Sequence, residues 1–171
     1  MDKTNTPEEI IDLVNENDEV IGEITKKEAN SNPRVIHREI AVLLYDDRKR
    51  VLLQQRSYKK KVYPGFWDIS TSGHIPKGLS PEKAAHNELI EELGFDTKLK
   101  FIYKKLLKFP NETHFSYFYL GKFPKDVRLN IYKPEVEQAK FFSKTEFKEL
   151  KKIINYSLED VINFWDGKYH I

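Results

Sequence analysis

Three glutamates carry the strongest chemical signal in this 171-residue chain. Glu88, Glu91 and Glu92 stand at i, i+3 and i+4, and those positions share one face of a helix. Like charges so spaced repel, by about a few tenths of a kcal/mol per pair. An oxygen-seeking divalent cation removes that penalty and turns the cluster into a site. A solvated acidic face would also carry these three residues, but the flanking sequence favours a site. Ser80 and Pro81 suit the N-cap and first position of a helix, and Gly94 suits its end. Ala84, Ala85, Leu89 and Leu93 give that helix an apolar face. Just upstream, Gly73-His74-Ile75-Pro76-Lys77-Gly78 is a compact loop able to aim backbone carbonyls at a metal held by the helix.

The stretch from Gly73 to Phe95 resembles a Nudix box. That pattern reads Gly, five residues, Glu, seven residues, Arg-Glu, an aliphatic residue, any residue, Glu-Glu, any residue, Gly and an aliphatic residue. Gly73 takes the first position, and Glu88 to Phe95 take the last eight. Two positions depart: Leu79 replaces the isolated Glu, and Asn87 replaces the Arg. One charge of each sign is lost, as expected if the two normally pair and losing one makes the other costly. The resemblance implies an α/β fold, a Nudix-type α/β/α sandwich with a mixed sheet. It also implies Mg²⁺ or Mn²⁺ as cofactor, which neutralises phosphate oxygens and activates a water for in-line attack. Glu88 and Glu92 would be ligands, with help from the Gly73 carbonyl. Glu91 would be a shared ligand and the water-orienting base, with Glu88 as its catalytic partner.

Upstream, Tyr63-Pro64-Gly65-Phe66-Trp67-Asp68, then Ser72-Gly73-His74, together with His37-Arg38, resemble the isopentenyl-diphosphate isomerase branch of Nudix proteins. The resemblance implies metal-binding roles for His37 and His74. It places Glu112 at one member of a later acidic pair and His114 at the other. The isomerases carry a catalytic Cys where this chain has Ser72. A hydroxyl is far less acidic than a thiol, and double-bond isomerisation needs a proton donor and acceptor at carbon. Arg56 and Lys60, in the basic stretch with Lys59 and Lys61, match positions that contact diphosphate; Arg suits bidentate recognition and Lys a point charge. Trp67 and Phe66 would floor a substrate pocket or pack in the core. Glu135 and Glu137 stand where Nudix hydrolases recruit a further acid, or form a surface pair. His86 and His170 carry no such signal. The reading is a Nudix pyrophosphohydrolase cleaving a diphosphate linkage in a nucleoside diphosphate derivative or another organic diphosphate. An isopentenyl-diphosphate isomerase and a non-catalytic diphosphate-binding module are its alternatives.

The elements that must position these residues read as one domain over residues 1–171. A hairpin is expected near 10–24, and a second from Glu39–Tyr45 and Arg50–Gln55. The loop Ser57–Asp68 and a short segment Ile69–Ser72 lead into the box helix. Strands follow at Leu99–Phe109, Thr113–Phe123 and Ala139–Phe142, then helices at Lys144–Ile154 and Leu158–Trp165, a C-terminal helical region of about 144–165. A net charge of +2 is too small to call for nucleic acid. No apolar run reaches the roughly 20 residues of a membrane helix. The absence of Cys makes disulfides irrelevant and a cytoplasmic location the default. The polar start, Met1–Glu9, carries no signal-peptide core. The expected partner is a small-molecule diphosphate, and a homodimer is left open.

Overall fold

The computed structural model describes residues 8–170, so Met1–Pro7 of the polar start, and Ile171, lie outside the described residues. The expected hairpin pairs Ile10–Val14 (β1) with Val20–Thr25 (β2), Ile10 opposite Thr25. Asn15 sets its turn by accepting from the Asn17 and Glu19 amides. Thr25 then caps a short helix, Lys26–Ala29 (α1), that carries no clear sequence signal. Ile36–Tyr45 (β3) and Val51–Arg56 (β4) form the second hairpin. β3 begins at Ile36 rather than Glu39, which brings His37 and Arg38 into the strand.

The expected loop ends at Phe66, because Trp67–Asp68 (β5) pairs with Gln55 and Gln54 of β4. Thr71–His74 (β6) pairs with β3. Pro81–Glu88 (α2) continues as a π-helical turn over Leu89–Leu93. Leu99–Lys108 (β7) and Thr113–Lys122 (β8) form an antiparallel pair, and Val136–Phe142 (β9) pairs with β4. β8 runs parallel to β3 while the other strand pairings are antiparallel, so the sheet is mixed. The C-terminal helices are Lys144–Lys148 (α3) and Asn155–Trp165 (α4). The helix expected over Lys144–Ile154 therefore stops early. Lys152 adopts a left-handed φ of 57°. The chain then docks on Trp67, whose N–H donates to the Lys152 carbonyl (2.8 Å) and whose carbonyl accepts from Ile154 (3.0 Å).

Alternation along β3 builds a core on each face of the sheet. Ile40, Val42 and Leu44, with Leu52 of β4, pack against Ala84, Ala85 and Leu89 of the box helix. Ala41 and Leu43, with Val51 and Leu53, face the other way, against Phe147 of α3 and Val161 and Phe164 of α4. Helices thus cover both faces, as in an α/β/α sandwich. A strand covered on both sides reads as a near-continuous apolar run, and residues 40–44 and 51–53 are buried throughout.

Candidate active site

Ser80 caps α2 by accepting from the Lys83 amide at 3.2 Å, and Gly94 ends the helical stretch at a φ of 81°. With its apolar residues committed to the core, the helix turns Glu88 and Glu92 toward β6. Glu92 is buried, and its Oε2 accepts from the Thr71 hydroxyl at 2.5 Å and from Gln54 Nε2 at 3.0 Å. Glu88 lies so close to Gly73 that a Cβ there would sit 2.6 Å from the carboxyl carbon, so any larger residue would push the carboxyl from its present place. Burial, then the charges of Glu92 and Glu91, push the Glu88 carboxyl up to about 8. Burial pushes Glu92 up to about 7 despite its two hydrogen bonds. A half-buried Glu88 and a buried Glu92, with the Glu88 carboxyl filling the space where Gly73 would carry a Cβ, fit a hard divalent cation. Glu91 is exposed at the rim, because a π-helical turn is wider than an α turn and rotates it further round.

A second cluster forms where β3 lies between β6 and β8. Glu39 stands opposite His74 of β6, and His37 opposite His114 of β8. His37 and Glu39 are two apart and share one face of β3. Glu112 joins them from the β7–β8 turn: ligand atoms of His37, Glu39, His74 and Glu112 all lie within 4.8 Å of one another. Glu39 is the hub. Its Oε1 is 3.2 Å from Nε2 of both His37 and His74, and its Oε2 is 3.7 Å from Nε2 of His114. Burial works against its charge, yet the imidazoles of His114, His74 and His37 hold it well below the usual carboxylate range. Burial pushes His74 down to about 4 and lowers His114 as well. Burial and the Glu39 charge push Glu112 up to about 7. Nδ1 of His37 and of His114 are buried without a hydrogen-bond partner among the described residues. Imidazoles and carboxylates gathered this way are a donor set for a divalent metal.

One cavity of about 790 Å³ holds both clusters. Gly73, Glu88, Glu91 and Glu92 line it, as do Glu39, His74, Glu112, Arg56 and Lys60. Leu79, Asn87 and Ser72 line it too. His37 and His114 sit behind the wall, buried, in contact with Glu39. Lys60 Nζ is paired with Glu135 at 2.6 Å. Trp67 is not in the wall: it is buried in the core, edge-on to Phe142 at 4.9 Å. Glu135 reaches the cavity, whereas Glu137 does not line it. The residue missed from sequence is Glu39. Strand alternation two residues after His37 was its signal, hidden because β3 was expected to begin at Glu39 itself.

A family model described as the NUDIX domain matches residues 35–161. The chain is similar to isopentenyl-diphosphate Delta-isomerase 2 of Photorhabdus laumondii, 33% identical over 168 residues, covering 94% of this chain and 90% of that protein. It is 31% identical over 140 residues to an uncharacterized Nudix hydrolase, lmo0368, of Listeria monocytogenes, covering 82% of this chain and 83% of that one. Among solved structures, DR0079 from Deinococcus radiodurans superposes with a TM-score of 0.77 at 20% identity, covering 92% of this chain and 99% of that one; the likeness is one of fold.

Proposed function

The chain belongs to the Nudix superfamily, in its isopentenyl-diphosphate isomerase-like branch, and from that premise we propose that it is a single-domain pyrophosphohydrolase that uses Mg²⁺ or Mn²⁺ to cleave a diphosphate linkage. The observation that carries this reading is the acidic face: Glu88 and Glu92 held together at raised pKa against Gly73. Glu88, Glu91, Glu92 and the Gly73 carbonyl would hold the cation. Bound there, it supplies Lewis acidity and a water of lowered pKa. Glu92 is oriented for this by Thr71 and Gln54. Glu91, at the open rim, is the residue free to orient a water and take its proton. Arg56 and Lys60 bind the diphosphate. Lys60 must then leave Glu135, which frees that carboxylate beside the acidic face.

The His37–Glu39–His74–Glu112 cluster favours a second reading, isomerisation of isopentenyl diphosphate, because the isomerase resemblance assigns metal binding there. Ser72 counts against it, since a hydroxyl is a poor proton donor to carbon. The test is a panel of nucleoside, sugar-nucleotide and prenyl diphosphates with Mg²⁺ or Mn²⁺, followed by released phosphate and pyrophosphate. Turnover that Glu91→Gln lowers by roughly 10²-fold supports hydrolysis with Glu91 as base. No turnover across the panel would favour a binding module, with Leu79 and Asn87 as the departures responsible.

A further inference from the structure

Asp68 is a charged side chain in the core that the hydrolytic reading leaves without a role. It is fully buried on β5, at 0% exposure. Its Oδ1 accepts from the Ser157 hydroxyl of α4 at 2.5 Å and from the Ile69 amide at 2.8 Å. Its Oδ2 is buried with no hydrogen-bond partner among the described residues. Arg56 is the cation beside it, with Nη1 3.8 Å from that oxygen. Burying a carboxylate with one oxygen left without a hydrogen bond is costly, so its place in the core asks for a reason.

Arg56 supplies one. It ends β4 and lines the cavity. Its Nε and Nη2 both donate to the Val62 carbonyl, at 3.2 and 3.1 Å. The guanidinium is therefore gripped along one edge by the loop and approached by Asp68 at Nη1. A guanidinium carries five N–H donors in a rigid fork, so donors are left over for a ligand in the cavity. Burial pushes the Asp68 carboxyl up, and the Arg56 charge is the main Coulombic influence opposing that shift.

We propose that Asp68 is a positioning residue for Arg56: from within the core it fixes the fork so that its remaining N–H groups clamp a diphosphate, and Ser157 ties that setting to α4. The C-terminal helix is thereby linked to the phosphate end of the cavity without touching the ligand through this path. The proposal rests on the diphosphate reading of the cavity.

Calorimetric titration with methylene diphosphonate in the presence of Mg²⁺ tests it without requiring turnover. Asp68→Asn is nearly isosteric and removes the charge. It is expected to weaken binding about tenfold, to leave binding of Mn²⁺ alone unchanged, and to have no further effect in an Arg56→Ala background. A merely structural role would weaken binding equally in both backgrounds, and that result would overturn the proposal, as would an unchanged dissociation constant. If Asp68→Asn does not fold, Ser157→Ala takes its place, alone and combined with Arg56→Ala. Weakening by Ser157→Ala that disappears once Arg56 is replaced supports the link; equal weakening in both backgrounds, or none in either, overturns it. Failure of the unmodified protein to bind the diphosphonate would overturn the diphosphate reading together with this role, whereas normal binding that Asp68→Asn leaves intact overturns the role of Asp68 alone.

Discussion

Glu88 and Glu92 bind protons more tightly in the folded chain than the unfolded one, and this sets how stability depends on pH. Their folded pKa values, about 8 and about 7, lie above the usual carboxylate value of about 4.3. Between those limits the native state carries more protons, so stability falls as pH rises. Thermal melts in chelator are expected to drop from pH 5 to pH 8, with less of a drop in Glu88→Gln/Glu92→Gln and in saturating Mn²⁺. A metal-free profile unchanged by that double substitution would contradict the repulsion. Gly73 gives a second check. Gly73→Ala must displace the Glu88 carboxylate, and a tenfold or greater loss of Mn²⁺ affinity is expected, about 1.4 kcal/mol. At this scale the acidic triplet was legible, because helical spacing survives in sequence. The hub of the histidine cluster was not, because cross-strand neighbours such as Glu39 and His74 are distant in sequence and meet only through register.

The elements explain where pattern reading succeeded and where it failed. Strands β3 and β4 were legible from apolar runs, because both of their faces are covered. Local propensity favours helix over Lys144–Ile154, but beyond Lys148 backbone pairing with Trp67 overrides it. The N-terminal hairpin is held by a contact that no local pattern announces. Asp18, in its turn, accepts from Arg38 Nε at 2.6 Å and Lys104 Nζ at 2.8 Å, and from the Tyr117 hydroxyl. Burial alone would raise its pKa, but the hydrogen bonds from Lys104, Tyr117 and Arg38 bring it below the ordinary value. That contribution is present above the unfolded pKa and lost as pH falls through the folded one. Asp18→Asn keeps a side chain tolerant of the left-handed φ of 65° and removes the charge. A loss of about 2 kcal/mol in urea denaturation is expected. An unchanged midpoint would mean that the hairpin is held by its apolar contacts alone.

At the scale of the whole molecule, the sandwich sets two clusters of titratable groups around one cavity: an acidic one on the box helix, and on the strands the histidine–carboxylate group that could hold a metal. The fold was legible as a resemblance anchored on Gly73 to Phe95, and the neighbouring solved structures share it. Hydrolysis and isomerisation are told apart by their products. The most direct measurement is product analysis in ¹⁸O-water, with Mg²⁺ or Mn²⁺, across organic diphosphates that include isopentenyl diphosphate. The expected result is ¹⁸O in a released phosphate or pyrophosphate, lost in Glu88→Gln/Glu92→Gln, with no dimethylallyl diphosphate formed. Conversion of isopentenyl diphosphate to dimethylallyl diphosphate, or hydrolysis indifferent to those two glutamates, would contradict it.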